Sequence, residues 1–378
     1  MSLWAEFNNS SVDQWKKKVL DDSPNKNIQD FLCKTEYGNV DTFKKSFEGL
    51  DSKKTHKLSE ISWNFIDEKK INSQILNRLN DGVNSICINN INYSDSIFNN
   101  VMNDIISNHI QLSHNASVEE ISNWNEWINS SPNLKGSIRM CLLSTVLGEL
   151  KNNTNSFNLE TYRHHFQSNL NQNFKCIYIE LSIIHLSFTN YSSEIALTGA
   201  NLNEIIEIHK KNNIEIPKKI IVKSLLDNSF LENISKLKAI KSIINQVLKI
   251  HGLVAKVIIE TCVKPEILKN KSEDFRILSI TSAAMSSFIG GSNSFVLSDS
   301  LLSSNEDYWK KIATNIPLIL NEESQINILN DVTKGAHVIE QISFKMADKA
   351  WRILKQIEEN GGLLKNLKNS NLRKFIKN

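Results

Sequence analysis

SFVLSD (294–299), KKIATNIPLILNEESQI (310–326) and DVTKGAHVIEQISFKMADKAWRILKQIEENGG (331–362) are the stretches that decide how this chain is read. The first is an apolar run of strand length. The second reads as a helix. In the third, Gly335 marks a loop and His337-Val338-Ile339-Glu340 reads as a strand-like exit from it. An amphipathic helix then runs through Ala350 and Trp351 and stops at Gly361-Gly362, residues suited to the left-handed turn after a helix.

The same grammar extends toward the N-terminus. From about Leu58 onward, strand-sized apolar runs alternate with helical patterns, which is the mark of βα units around a parallel sheet. Strand candidates are SICINN from Ser85, HIQLSH from His109, SIRMCLL from Ser137, KCIYIELSII from Lys175, KKIIVKSLL from Lys218, AKVIIETC from Ala255 and SFVLSD. Ile75, Leu76, Leu79 and Val83 form a helical face before the first, and another helix is expected around residues 118–128. Near-continuous apolar runs suit strands buried on both faces, and their number is close to eight. Gly290-Gly291 reads as the cap of a helix with Met285 and Phe288 on one face. An open doubly wound sheet would share this grammar, but neither G-x-G-x-x-G nor G-x-x-x-x-G-K-[ST] occurs.

Before that region, residues 1–59 hold few apolar residues and read as an arm packed on something else. Ser11 is placed to cap a helix with Asp13 in its first turn and Trp15, Val19 and Leu20 at helical spacing. Polar connections with Pro24, Gly38 and Gly49 follow.

Composition narrows the function. The 378 residues are 40% hydrophobic and 22% charged, with no apolar run long enough to cross a bilayer. Forty-four basic and 41 acidic residues give a net charge of +3, which would recruit neither nucleic acid nor an anionic membrane. The basic end LKNSNLRKFIKN reads as a solvated tail. Cys33, Cys87, Cys141, Cys176 and Cys262 are scattered, odd in number and never in C-x-x-C spacing, so they read as reduced thiols and not as a zinc site. The N-terminus has no secretory signal, and a cytoplasmic location is expected. His164-His165 and the His109/His114 pair lack carboxylates or cysteines at a metal spacing.

The stretches quoted first resemble the substrate-barrel half of the methylmalonyl-CoA mutase family, in the branch of its small, non-catalytic subunits. Glu322-Glu323-Ser324 stands where that family carries Glu-Glu-Ser, and Gly290-Gly291 where it carries a glycine pair. LWAEFNNSSVDQWKKKVLDD (3–22) resembles the opening of its N-terminal arm, including Glu6-Phe7 and Gln14-Trp15. The resemblance implies a TIM-type (β/α)8 barrel over residues 60–378 and an arm over residues 1–59 that contacts a partner subunit.

It also implies a heterodimer whose large subunit interconverts methylmalonyl-CoA and succinyl-CoA with adenosylcobalamin. The family's cobalamin loop, Asp-x-His-x-x-Gly, does not occur in the sequence, so no cofactor-binding or metal residues are expected here and the cofactor is expected in the partner. His185, at the end of a predicted strand, aligns with an active-site histidine of the large subunit and is the one candidate catalytic residue; Ser187, Phe188 and Thr189 replace the residues that accompany it there. Lys236 matches the family's Lys-x-Arg-Ala-x-Arg helix, while Lys238 and Lys241 replace its arginines and Thr314 and Pro317 replace an Arg and a Gln. Taken by themselves, these lysines describe a solvated helix face. Two alternatives from other classes are a free-standing barrel that binds acyl-CoA esters and an independent enzyme that uses His185.

Overall fold

The protein is described from a computed structural model covering residues 11–40, 58–64, 68–89, 94–115, 128, 134–143, 162–163, 166, 173–181, 190–269, 271–297, 306–324, 326 and 331–368. It is mixed α/β. Eight strands form one sheet: β3 (Leu58–Asn64), β4 (Ser85–Asn89), β5 (Gln111–Asn115), β6 (Lys135–Arg139), β7 (Ile177–Glu180), β8 (Lys219–Leu226), β9 (Lys256–Val263) and β10 (Ser294–Leu297). Their order is β6-β5-β4-β3-β10-β9-β8-β7, and every pairing is parallel. The two end strands also meet. Cys141 bridges Tyr178 in parallel, and the Ile138 N–H donates to the Phe174 carbonyl at 3.2 Å.

The strands do not have two apolar faces. Ile86, Ile88, Leu112, Ile138, Ile177, Ile179, Ile220, Val222 and Ile259 are buried and apolar. Between them the same strands carry Cys87, Ser113, Ser137, Arg139, Tyr178, Glu180, Lys223 and Glu260. This corrects the expectation of continuous apolar runs: the second face is buried yet polar, because its groups bond to one another. β3 was not singled out in the sequence, since most of LSEISWN is polar and it offers no apolar run.

Three long helices stack beside this sheet: α4 (Tyr191–Lys211), α5 (Phe230–Ile250) and α9 (His337–Glu359). Asn190 caps α4 by accepting the Ser193 N–H at 2.8 Å. Helix α9 presents Ile342, Met346, Ala350, Ile353, Leu354 and Ile357 at helical spacing to α4 and α5. Its first turn is His337 to Glu340, so the strand-like exit read there is helix instead. Glu340 explains the start: its carboxylate accepts the Gly335 N–H at 2.8 Å and sits near the positive end of the helix.

Among the described residues the other α-helices are α1 (Val12–Asp22), α2 (Glu68–Asn80), α3 (Asp95–Val101), α6 (Pro265–Leu268), α7 (Glu273–Ile289), α8 (Glu306–Glu322) and α10 (Leu363–Lys368). Helix α7 ends as the glycine pair suggests. Gly291 has φ +84°, its N–H reaches the Phe288 carbonyl and the Ser292 N–H reaches that of Ser287, the paired bonds of a Schellman cap. Phe288 is buried whereas Met285 is 40% exposed, so the two do not share a buried face.

The N-terminal segment contains more than polar connections. Ser11 and Gln14 make a reciprocal capping box on α1, and Trp15 is 44% exposed in a helix with no buried residue. A hairpin of β1 (Cys33–Thr35) and β2 (Gly38–Val40) follows, with Gly38 at φ +93°. It packs on the rest of the chain: Val40 is fully buried and Lys345 of α9 donates to the Asn39 carbonyl at 2.9 Å.

Candidate functional site

The loops beyond the carboxyl ends of parallel strands are where α/β proteins build sites. Asp227 directly follows β8 and Lys264 directly follows β9. With Asn190 and Tyr191 at the start of α4, Ser229 and Glu232 at the start of α5, and Lys34, Thr35 and Glu36 from the hairpin, they line a cleft of about 460 Å³. Asp227 is the hub. The Tyr191 hydroxyl lies 2.8 and 2.7 Å from its two oxygens, Lys264 Nζ donates at 2.9 Å and the Ser229 N–H at 3.0 Å. Burial opposes its charge, but Lys264 and these donors prevail and hold the carboxyl below its usual range.

Beneath the cleft lies a fully buried lysine. Lys236 Nζ contacts the Glu194 oxygens at 3.4 and 3.3 Å, donates to the Leu225 carbonyl, and lies 5.3 Å from the centre of the Tyr191 ring, which Lys264 approaches at 5.5 Å. Burial lowers its pKa and Glu194 offsets part of that. Ser224 donates to Glu194 at 3.0 Å. The floor of the cleft is thus a set of charges that already neutralise one another.

A second polar cluster occupies the buried polar face of the sheet. Arg139 on β6 meets Glu260 on β9 at 2.5 Å, and Lys223 on β8 meets Glu180 on β7 at 2.9 Å. The Tyr178 hydroxyl donates to Glu180 at 3.0 Å, and the Arg139 guanidinium stands 5.6 Å from the Tyr178 ring centre. Glu260 and Glu180 both raise the pKa of Lys223 against the effect of burial. Arg139, Glu260, Lys223, Glu180 and Tyr178 therefore form a ring in which opposite charges alternate and the aromatic face closes the circuit.

These clusters correct the reading of the lysine helix as solvated. Lys236 is 0% exposed; Lys238 is 5% exposed and pairs with Asp331 at 2.8 Å; Lys241 donates to the Gly291 carbonyl at 2.6 Å. Burial pushes Lys241 down to about 8. Lys236 and Lys238 stay buried, and Lys241 half-buried, because a carboxylate or a carbonyl on another element meets each. Thr314 is also buried, in α8, whereas Glu322, Glu323 and Ser324 are exposed.

His185, His164 and His165 lie outside the described residues, as do most of residues 118–128 and the tail 369–378. His109 closes an exposed 3-10 turn, and buried His114 contacts the Ile88 carbonyl through Nδ1 at 2.6 Å. Among the described residues, no group of three or more His, Cys, Asp or Glu side chains could hold a metal ion, and no helix is long and apolar enough to cross a membrane. Sequence reasoning did not single out Asp227, Tyr191, Lys264, Arg139 or Glu260. For Asp227 and Lys264 the signal was present: each is the first polar residue after a strong strand pattern.

A family model described as methylmalonyl-CoA mutase matches residues 86–378. The methylmalonyl-CoA mutase of Cereibacter sphaeroides is 30% identical over 84 residues, covering 22% of this chain and 12% of that protein. The methylmalonyl-CoA mutase small subunit of Propionibacterium freudenreichii subsp. shermanii is 28% identical over 97 residues, covering 25% and 15%. These alignments span less than a sixth of either relative's length. Among solved structures, HPPK-DHPS of Plasmodium falciparum matches with a TM-score of 0.42 at 13% identity, covering 85% of this chain and 55% of that one, a likeness too weak to carry an argument. The family match takes in well over half of the sequence, including the rim residues Asp227 and Lys264 and the whole alternating-charge ring, and so the chain belongs to the methylmalonyl-CoA mutase family.

Proposed function

We propose that the chain is a small, non-catalytic subunit of a heterodimeric methylmalonyl-CoA mutase, and that its eight strands close into a (β/α)8 barrel. The carrying observation is the buried ring of alternating charge. In a flat sheet β6 and β9 would lie five strand spacings apart, about 24 Å, yet Arg139 and Glu260 touch. Closure through the Cys141–Tyr178 bridge accounts for that contact and puts the ring across the lumen. There it fills the path that an elongated thioester would need. The rim supports the same reading, because Asp227, Lys264 and Lys236 are already paired with protein groups.

The chemistry would reside in a large partner subunit that holds adenosylcobalamin. The rim cleft offers a corrin no histidine, and the sequence has no Asp-x-His-x-x-Gly loop, so no step through the cofactor is assigned to this chain. The N-terminal arm, residues 1–59, would contact the partner, with α1 as its exposed apolar element, and the complex would be cytoplasmic. The test combines two measurements on the full chain. Purification from its host should bring down a large mutase subunit, and spectral titration of the isolated chain with adenosylcobalamin should show no saturable shift. Saturable binding, or turnover of methylmalonyl-CoA by the isolated chain, would overturn the assignment.

A further inference from the structure

Where α4, α9 and α10 converge, a hydrogen-bonded chain runs from the Lys210 ammonium to Asn203, beside two carboxylates. The Lys210 ammonium donates to His251 Nδ1 at 2.8 Å, which leaves the neutral imidazole to donate from Nε2 to Asn203 Oδ1 at 2.7 Å. Asn203 lies beside the Glu358 carboxylate of α9, whose Oε1 is buried with no hydrogen-bond partner. Beside it, Glu204 Oε2 accepts the Leu364 N–H at 3.3 Å at the start of α10. The Glu204 and Glu358 oxygens lie 2.8 and 3.9 Å from the point where a Cβ on Gly362 would sit, so the two carboxylates share one small space beside the turn at φ +85°.

The other charges around Glu358 are known from each packed element. Helix α4 supplies Glu204, Glu207 and Lys210; the end of α5 supplies His251, 3.6 Å from Glu207; α10 supplies Lys365, folded beside Gly361. The cations are engaged elsewhere or stand off, and two of the nearest groups are carboxylates. We propose that this corner is an acid-strengthened clasp on residues 363–368, firm while Glu358 carries a proton and loosened when it is ionised beside Glu204 and Glu207.

Burial first, and then Glu204 and Glu207, raise the pKa of Glu358, with Asn203 opposing. A carboxyl raised in the folded state binds more protons there than when released, so its contribution is fully present below the ordinary glutamate value and is lost as the pH rises through the folded one. The inference is independent of the subunit assignment.

Hydrogen exchange of the full chain, resolved to peptides spanning 358–368 and corrected for intrinsic exchange rates, tests it from about pH 4, below the ordinary glutamate value, up to about pH 8. Protection of α10 should fall across that window, by about tenfold for each unit by which the pKa is raised. Glu358→Gln should abolish the fall. Glu204→Gln keeps an acceptor for the Leu364 N–H while removing the neighbouring charge, and should shrink it; this variant carries the test if the first does not fold. An unchanged fall in Glu358→Gln, or none in the parent chain, would overturn the clasp.

Discussion

At the scale of single residues, the most exacting position is Gly199 in the middle of α4. A Cβ there would lie 2.5 Å from Leu354 Cδ1 of α9 and 2.6 Å from Ile243 Cγ2 of α5, so this glycine sets how closely three helices pack. Alanine would gain roughly 0.5–1 kcal/mol of helix propensity, but forcing a methyl group into a full core costs about 1–3 kcal/mol. The overpacking term is the larger. Gly199→Ala should therefore lower stability by roughly 1–2 kcal/mol in urea unfolding, and a neutral or stabilised variant would mean the three helices can separate freely. Nothing in the local sequence YSSEIALTGANLNE shows this requirement, because contact with residues 44 and 155 positions away is a property of the packed molecule. Lys236, Lys238 and Lys241 misled for the same reason: their one-letter identity describes a solvated face, while Glu194, Asp331 and the Gly291 carbonyl, all on other elements, make burial tolerable.

At the scale of elements, what could be read locally was read well. Ser11 as a cap, the glycine pair after α7, and Gly361-Gly362 after α9 are signals in which the residue itself meets the backbone demand; the reciprocal bond from Gln14 emerged only in the structure. The first turn of α9 was misread because His337-Val338-Ile339 is short, apolar and β-branched, and only the Glu340 contact to the Gly335 N–H reveals the helix start. Strand β3 escaped notice because most of its residues are polar. The N-terminal segment divides into two parts with different energetics. Helix α1 buries no residue, whereas the hairpin places Val40 in the core and is held by Lys345. Removing residues 1–22 should leave the circular dichroism of the body unchanged apart from one lost helix and, under the proposed assignment, abolish pairing with the large subunit. Removing residues 1–40 should also lower the thermal midpoint. Equal pairing of the shorter truncation in sedimentation would eliminate α1 as the contact.

For the whole molecule, the decisive element is the buried ring that joins β6, β7, β8 and β9. The sequence shows strand candidates close to eight in number but not this ring: Tyr178, Glu180, Lys223 and Glu260 sit on the adjacent strands β7, β8 and β9, and Arg139, 121 residues before Glu260, joins them only when the end strands meet. Two opposing magnitudes govern it. Desolvating the charges is costly, so the intact pair adds little net stability over apolar residues of similar volume; removing one partner, in contrast, strands the other charge and costs about 3–5 kcal/mol. Arg139→Met alone should therefore destabilise the chain by about that amount, with Glu260→Met comparable, while the double variant should recover most of the loss. Urea unfolding with an unchanged m value reads this directly, since m follows the surface exposed on unfolding. Additive losses in the double variant would mean that the contact does not couple the two strands, and the argument for a closed barrel would lose its support. Recovery would show that this buried polar face tolerates an apolar filling as well as a charged one, as the proposed non-catalytic role requires.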